Sequence, residues 1–241
     1  MPVNSVIPST PNAHFLFATI KAKVILPFHL IQDAAAAAVD LVPPADIDSE
    51  RIIAMKSYDH KFALITGGST GIGFALAKQI VLNGGNVAIL ARHQDALDRA
   101  CSELAELKIR TAQKVISIQA DVTKESELEI TLQELIETHG LPDYVFNSAG
   151  VAHPGRFENL STETFHWMMD VNFFGTVNVL KVLVPLMQER KSGVIVNISS
   201  IAGFIGVYGY TAYGASKYAI SGFSDALRSE LKPDGIQVSI V

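Results

Sequence analysis

Six short apolar runs are the feature that most constrains how this chain of 241 residues can fold. Between successive runs lie segments in which apolar residues recur with helical spacing, so strands and helices are expected to alternate. Such alternation indicates an α/β fold, a doubly wound parallel sheet with right-handed crossovers and helices on both faces. The predicted strands are residues 61–66, 86–91, 115–119, 143–147, 193–198 and 236–241.

A glycine turn joins the first predicted strand to the first predicted helix. The strand ends at Thr66, the turn reads Gly67-Gly68-Ser69-Thr70-Gly71-Ile72-Gly73, and a helical apolar pattern follows at 74–80. Glycine permits positive φ and close approach of a ligand, and the free amides of a helix N-terminus favour an anion such as a pyrophosphate. The pattern is G-x-x-x-G-x-G and not the commoner G-x-G-x-x-G. A purely structural turn therefore stays open as the alternative.

Near the carboxyl end, a tyrosine and a lysine are placed for acid–base chemistry. Tyr213 and Lys217 are four residues apart, which puts both on one face of a helix about one turn from each other. A nearby ammonium favours the phenolate form of a tyrosine and so prepares the hydroxyl to give up a proton. Taken alone, such a pair is common on helix surfaces, but Ser200 stands 13 residues before the tyrosine and adds a second hydroxyl.

Four motifs in order give these separate patterns a common interpretation. They are T-G-x-x-x-G-I-G at 66–73, N-S-A-G at 147–150, Ser200, and Y-x-x-x-K at 213–217. Together they resemble the short-chain dehydrogenase/reductase family over residues 58–241. The resemblance implies a Rossmann-like doubly wound sheet that binds a nicotinamide dinucleotide and an enzyme that transfers hydride to or from a carbonyl carbon.

The same resemblance assigns roles to four catalytic candidates. Tyr213 would protonate the carbonyl oxygen, and Ser200 would hydrogen-bond it; the adjacent Ser199 is chemically equal but lacks the family spacing. Lys217 would hold the ribose hydroxyls beside the nicotinamide and tune the tyrosine. Asn172 would hold a water that links Lys217 to solvent, although a purely structural hydrogen bond inside a buried helix stays open for it.

Cofactor choice is predicted from the tip of the second strand. An acidic residue there binds the ribose 2′-hydroxyl of NAD, whereas an arginine accommodates the 2′-phosphate of NADP. Arg92 follows the strand, and Asp95 comes only in the first turn of the next helix, so NADPH is the expected cofactor. Asp121 has a second interpretation, as a helix cap, which Thr123 could equally supply. By resemblance, the cofactor contacts are Thr66, Gly67, Ser69, Thr70, Gly71, Ile72, Gly73, Arg92, Asp121, Val122, Asn147, Ala149, Gly150, Tyr213 and Lys217.

The substrate is predicted from a narrower likeness. The stretches 155–158, 204–213 and 230–233 are most similar to 3-ketodihydrosphingosine reductases, which implies reduction of 3-ketodihydrosphingosine to dihydrosphingosine in sphingolipid synthesis. The apolar segment 201–210 suits a lipid tail, but core packing uses the same residue types. Two alternatives stay open: another NADPH-dependent carbonyl reductase, acting on a steroid, retinoid or acyl ketone, and a nucleotide-binding regulator without turnover.

Charge and cysteine content narrow the protein class. A formal net charge of −5 argues against a nucleic-acid partner, and a single cysteine, Cys101, suits a reducing, cytoplasmic location. No metal site is predicted. A long helix expected from Thr162 is apolar on more than one side, which predicts burial in the core or in a homo-oligomer, and Pro185 is expected to kink it near its end.

Both ends of the chain are expected to differ from the central domain. Residues 1–57 are interpreted as an extension and linker whose apolar runs fall short of the about 18 residues that span a bilayer. Residues 13–41 are expected either to lie on a membrane, such as the cytosolic face of the endoplasmic reticulum, or to pack on the domain. Because the chain stops inside the sixth predicted strand, we expect a C-terminal part to be missing, with weak NADPH binding and poor turnover.

Overall fold

The computed structural model describes residues 58–241, and the predicted extension 1–57 with its segment 13–41 lies outside the described residues. The strands are β1 (Phe62–Thr66), β2 (Asn86–Ala91), β3 (Val115–Gln119), β4 (Tyr144–Asn147), β5 (Gly193–Asn197) and β6 (Ile236–Ile240). The helices are α1 (Gly71–Leu82), α2 (Gln94–Glu106), α3 (Glu125–His139), α4 (Thr162–Met169), α5 (Gly175–Arg190) and α6 (Thr211–Leu231). Short 3₁₀ turns lie at Phe157–Asn159, Ile201–Gly203 and Lys232–Asp234.

Within residues 58–241, the strands form one parallel sheet in the order β3-β2-β1-β4-β5-β6. The chain builds outward from β1 on one side and then from β4 on the other, which puts the switch point between β1 and β4. Each predicted strand is present, within one residue at either end. The predicted Rossmann-like, doubly wound α/β fold is therefore confirmed.

Helices cover both faces of the sheet and bury the central strand β1 completely. Leu64 packs in a cluster with side chains of α3, α5 and α6, and Ile65 packs in a second cluster with side chains of α1 and α2. Both residues are fully buried. Burial on two sides explains why β1 reads as a continuous apolar run and not as an alternating one. The two clusters hold β1 in place, and the groove described below begins at Gly67, directly after this strand.

The long helix predicted from Thr162 contains an irregular turn. Helix α4 leads into a π turn over Asp170–Phe174, and α5 follows directly, includes Pro185 and continues to Arg190. Of the described helices, the segment Thr162–Arg190 is long and apolar enough to cross a membrane by length and composition, a property shared by core helices of soluble proteins. Here the inward face of α5 packs in the core on the sheet.

Candidate active site

The carboxyl ends of the strands open into a groove at the switch point, where ligands of doubly wound sheets bind. The groove consists of two adjoining clefts that share Gly67, Thr70, Gly150 and Val151. We call them the β2 cleft and the α6 cleft, after the element at the far end of each. The β2 cleft is also lined by Ser69, Leu90, Ala91, Arg92, His93, Ala120, Asp121, Val122, Ala149 and Val171. The α6 cleft is also lined by Gly71, Ile72, Ser148, Ala152, Ile198, Ser199, Tyr213 and Lys217.

The glycine turn between β1 and α1 forms the floor common to both clefts. Gly67 has a φ of +66°, and a Cβ there would lie 2.9 Å from the backbone of Ala149. A Cβ at Gly73 would lie 2.5 Å from the carbonyl oxygen of Gly67. Neither position has room for a side chain. The floor is consequently bare backbone, which a ligand can approach closely.

Helix α1 starts from this turn without a side-chain cap. Thr70 is the N-cap residue in an extended conformation, its side chain makes no capping hydrogen bond, and the first turn holds no acidic residue. The first amides of the helix therefore keep their partial positive charge available. An anion such as a pyrophosphate fits this helix end, because both the N–H groups and the helix dipole favour negative charge.

Two predicted cofactor residues tie neighbouring segments together. The hydroxyl of Thr66 accepts hydrogen bonds from the N–H groups of Ser148 and Ala149, both at 3.1 Å, and so joins the end of β1 to the loop after β4. The side-chain amide of Asn147 donates to Oδ1 of Asn197 at 2.8 Å in the buried interior. Neither Thr66 nor Asn147 is among the residues that line the groove. Both would therefore shape its floor indirectly.

Tyr213 and Lys217 lie one turn apart on α6, and both line the α6 cleft. The Nζ of Lys217 lies 5.8 Å from the centre of the Tyr213 ring and donates a hydrogen bond to the carbonyl oxygen of Ile198 at 2.8 Å. Lys217 is only 5% exposed, and this burial lowers the pKa of its ammonium to about 8. The two side chains are therefore a candidate pair for acid–base chemistry.

The two serines after β5 are engaged differently. The hydroxyl of Ser199 donates to the carbonyl oxygen of Lys217 at 3.3 Å and lies 3.3 Å from the hydroxyl of Ser221, so it is directed towards α6. Ser200 begins a 3₁₀ turn, and its Oγ accepts a hydrogen bond from the N–H of Ala202 at 3.2 Å. Accepting that bond leaves its own proton available for a ligand. Ser199, and not Ser200, contributes to the lining of the α6 cleft.

Asn172 lies in the π turn between α4 and α5 and is 1% exposed. Its Oδ1 accepts a hydrogen bond from the N–H of Val151 at 2.7 Å, and its Nδ2 donates to the carbonyl of Val151 and the hydroxyl of Ser216, both at 2.9 Å. A Cβ at Gly150 would lie 3.3 Å from this Oδ1 and 3.7 Å from the Nζ of Lys217. Protein partners take both amide hydrogens, so a water contact would use one of the oxygens of Asn172.

At the other end of the groove, Arg92 and His93 follow β2 and are exposed. No carboxylate stands at the tip of this strand. Opposite them, Oδ1 of Asp121 accepts hydrogen bonds from the N–H and the hydroxyl of Thr123 at 2.9 and 2.8 Å. Asp121 thus forms a local turn and does not cap the next helix, α3, whose N-cap residue is Lys124. It also lines the β2 cleft, as does Val122.

Sequence reasoning missed the backbone groups that hold the candidate side chains. Val151 binds Asn172 through its N–H and carbonyl, and the carbonyl of Ile198 binds the ammonium of Lys217. Backbone partners have no residue-type signature. The available signal is position alone, since Val151 directly follows N-S-A-G and Ile198 directly precedes the two serines.

An open parallel sheet with a bare glycine turn at its switch point is the arrangement of dinucleotide-binding folds, and here a tyrosine–lysine pair lines the same groove. The described residues fit a dinucleotide cofactor, because the floor at Gly67 admits a close ligand and α1 presents uncapped amides to it. The chain belongs to the short chain dehydrogenase family, whose pattern it matches over residues 61–241.

Its relatives include the 3-ketodihydrosphingosine reductase of Bos taurus, 36% identical over 178 residues, and the 3-dehydrosphinganine reductase of Danio rerio, 37% identical over 178 residues. Each match covers 73% of this chain and 54% of the relative, so the chain spans about half the length of these curated relatives.

Solved structures with the same fold carry either form of the cofactor. An NAD+-bound xylitol dehydrogenase is 29% identical, with a TM-score of 0.72 and coverage of 76% of this chain and 70% of that one. L-sorbose reductase from Gluconobacter frateurii, complexed with NADPH and L-sorbose, is 26% identical, with a TM-score of 0.70 and coverage of 76% and 68%. The choice between NAD and NADP therefore depends on individual residues and not on the fold.

Proposed function

We propose that this protein reduces the keto group of a lipid-like ketone to an alcohol with NADPH. The observation that carries the proposal is that Tyr213 and Lys217 line the same cleft as Gly67 and Gly71 of the glycine turn. A dinucleotide along the turn would bring its reactive ring to a carbonyl in contact with the phenol. Membership in the short chain dehydrogenase family supports this redox chemistry.

Side chains of the α6 cleft, together with Ser200, which directly follows the cleft residue Ser199, would stabilise and protonate the substrate oxygen. When bound, NADPH supplies a hydride to the carbonyl carbon. As negative charge develops on the oxygen, the hydroxyl of Ser200 donates a hydrogen bond to it and Tyr213 donates its proton. The ammonium of Lys217, held by the carbonyl of Ile198, favours the resulting phenolate. A water held by an oxygen of Asn172 would connect Lys217 to solvent and allow the tyrosine to regain its proton.

Arg92 supports NADPH over NADH. It lines the β2 cleft at the tip of β2, the place where a carboxylate would bind the 2′-hydroxyl in an NAD site. A guanidinium binds a phosphate with two parallel hydrogen bonds and keeps its charge at all working pH values. The 2′-phosphate of NADPH is the group that would use this charge.

Exposed apolar side chains in the two segments that follow the cleft residues Ala152 and Ser199, which we call the apolar rim, support a long-chain substrate. Its members are each more than half exposed: Phe157, Ile201, Phe204, Ile205 and Tyr208. Phe157 belongs to the loop after β4, which is joined to the segment before α6 by a bridge between Gly155 and Tyr210. Exposed apolar side chains in segments that adjoin a polar site are typical of a surface that binds an apolar ligand. With the names of the relatives, the rim favours 3-ketodihydrosphingosine and a place of action at a cytosolic membrane surface.

A substrate comparison tests this function. The purified chain would be given NADPH with 3-ketodihydrosphingosine, a short-chain analogue with the same keto group, or a steroid ketone, and loss of NADPH absorbance would be followed. We expect the highest kcat/KM with the long-chain ketone. Preference for the steroid would support the proposed reductase activity but assign it a different substrate. Binding of NADPH without turnover of any ketone would contradict catalysis and leave a nucleotide-binding protein.

A further inference from the structure

Ser216 stands between the two catalytic candidates of α6 and is fully buried. Its hydroxyl donates a hydrogen bond to the carbonyl oxygen of Tyr213 at 2.7 Å and accepts one from the side-chain amide of Asn172 at 2.9 Å. Asn172 in turn binds the N–H and the carbonyl of Val151 at 2.7 and 2.9 Å. A continuous chain of hydrogen bonds therefore runs from the backbone of Tyr213 to the wall of the α6 cleft.

We propose that Ser216 is a positioning residue that fixes Tyr213 relative to the cleft wall at Val151, through the side chain of Asn172. This inference rests on the reductase function proposed above and deepens it. The hydroxyl has one proton, which it donates to the carbonyl oxygen of Tyr213, so it must accept from the amide of Asn172. Only one arrangement of donors and acceptors along this chain of hydrogen bonds is therefore possible. A buried network whose members are all satisfied holds one geometry, and a displacement of about 1 Å at a catalytic group lowers its rate strongly.

A second serine on the same helix provides a matched control. Ser224 is also fully buried, accepts a hydrogen bond from the side-chain amide of Asn197 at 2.9 Å and donates one to the carbonyl of Ile220 at 2.7 Å. Asn197 binds Asn147, and neither asparagine lines the groove. Ser224→Ala therefore removes the same chemistry from the same helix, and its network does not include Val151 or Asn172; it reaches the groove floor only indirectly, through Asn147.

Hydrogen–deuterium exchange of the free protein tests the positions without relying on activity. In Ser216→Ala, the amide of Val151 should exchange several-fold faster than in the parent, because its acceptor Asn172 has lost an anchor. In Ser224→Ala, that amide should keep the parent rate. Ser216→Cys, which keeps the shape of the side chain and weakens both hydrogen bonds, gives the same readout if the alanine variant does not fold. Parent-like exchange at Val151 in the Ser216 variants would overturn the proposal.

Steady-state kinetics then separates positioning from stability. With NADPH and 3-ketodihydrosphingosine, Ser216→Ala should lower kcat about tenfold or more. Its KM and melting temperature should change no more than those of Ser224→Ala. An equal loss of kcat in the two serine variants would assign Ser216 a structural role alone and overturn the proposal. A parent chain that oxidises no NADPH with any ketone would overturn the reductase, and with it the catalytic part of this inference.

Discussion

The two clefts of the groove share a floor but differ in how firmly their side chains are held. In the α6 cleft, the buried ammonium of Lys217 is bonded to a backbone carbonyl, and the adjacent Asn172 has both amide hydrogens taken. In the β2 cleft, Arg92 is exposed at the open end. Groups fixed before a ligand arrives suit a step that needs a defined geometry, whereas an exposed charge suits affinity. Together with the proposed function, this comparison predicts that the α6 cleft sets the rate and that the β2 cleft selects the cofactor.

Removing the phenol hydroxyl of Tyr213 should have the largest effect and tests whether the α6 cleft sets the rate. Tyr213→Phe leaves the ring and deletes the acid, so kcat should fall by about 10² to 10⁴ while NADPH binding is kept. Rates with an accepted ketone and a fluorescence titration with NADPH measure the two properties. Comparable turnover in variant and parent would show that the α6 cleft does not set the rate through this group.

Changing the shared floor should damage both clefts at once. Gly67→Ala puts a methyl group 2.9 Å from the backbone of Ala149 at a φ of +66°, so strain and overpacking together should destabilise the fold by roughly 2 to 6 kcal/mol and weaken cofactor binding. Gly71→Ala is the matched control, because Gly71 also has a positive φ, +57°, but a Cβ there meets nothing within 4 Å. Chemical denaturation of both variants measures the difference. Equal losses would mean that the conformation matters and the close approach does not.

The β2 cleft is tested alone by Arg92→Ala. If its guanidinium binds the 2′-phosphate, the variant should lose roughly 1.5 to 3 kcal/mol of NADPH affinity and almost none of its NADH affinity. Titrations with both cofactors give the two values, and kcat at saturating NADPH should stay near that of the parent. Parallel losses for NADPH and NADH would assign the arginine a structural role and remove the basis for separating the clefts.

The smallest effect is expected from the pH dependence of stability. Burial lowers the pKa of Lys217 from 10.5 to about 8, so the folded protein favours the neutral amine more than the unfolded chain does. The desolvation penalty is fully present below pH 8 and disappears as the pH rises towards 10.5, so the free energy of unfolding should increase across that window. Urea denaturation of the parent and of Lys217→Met at several pH values measures this. The parent should gain stability relative to the variant across the window, because the pKa values of Cys101 and Tyr58, which burial raises, act equally in both proteins. A parent slope that is equal to the variant's would show that Lys217 keeps an ordinary pKa in the folded state.

The fold and the glycine turn could be predicted because their signals are local. Each strand is a run of a few apolar residues, and the turn is one stretch from Gly67 to Gly73, so neighbouring positions carry the whole pattern. The pair of Tyr213 and Lys217 is equally local, since four residues of helix bring the two side chains to one face. For these features, sequence distance and distance in space agree.

The hydrogen bonds between side chains around the site could not be predicted, because their partners are far apart in the sequence. Asn172 binds Ser216 across 44 residues, and Asn147 binds Asn197 across 50. An asparagine carries both donors and acceptors, so its residue type does not reveal whether it faces a ligand or a protein partner. Asn147 is predicted beneath the cofactor, and its side-chain amide donates to Asn197 in the interior, a contact that its residue type does not reveal.

The π turn that carries Asn172 also accommodates one residue more than a regular helical turn. Because a π turn closes with i→i+5 hydrogen bonds, it takes up that residue within about one rotation, and the residues after it keep their phase. Deleting one residue from Asp170–Phe174 would therefore leave Leu180 and Leu183 facing the sheet and would act on the position of Asn172. The length of this segment is as much a determinant of the site as the identity of its asparagine.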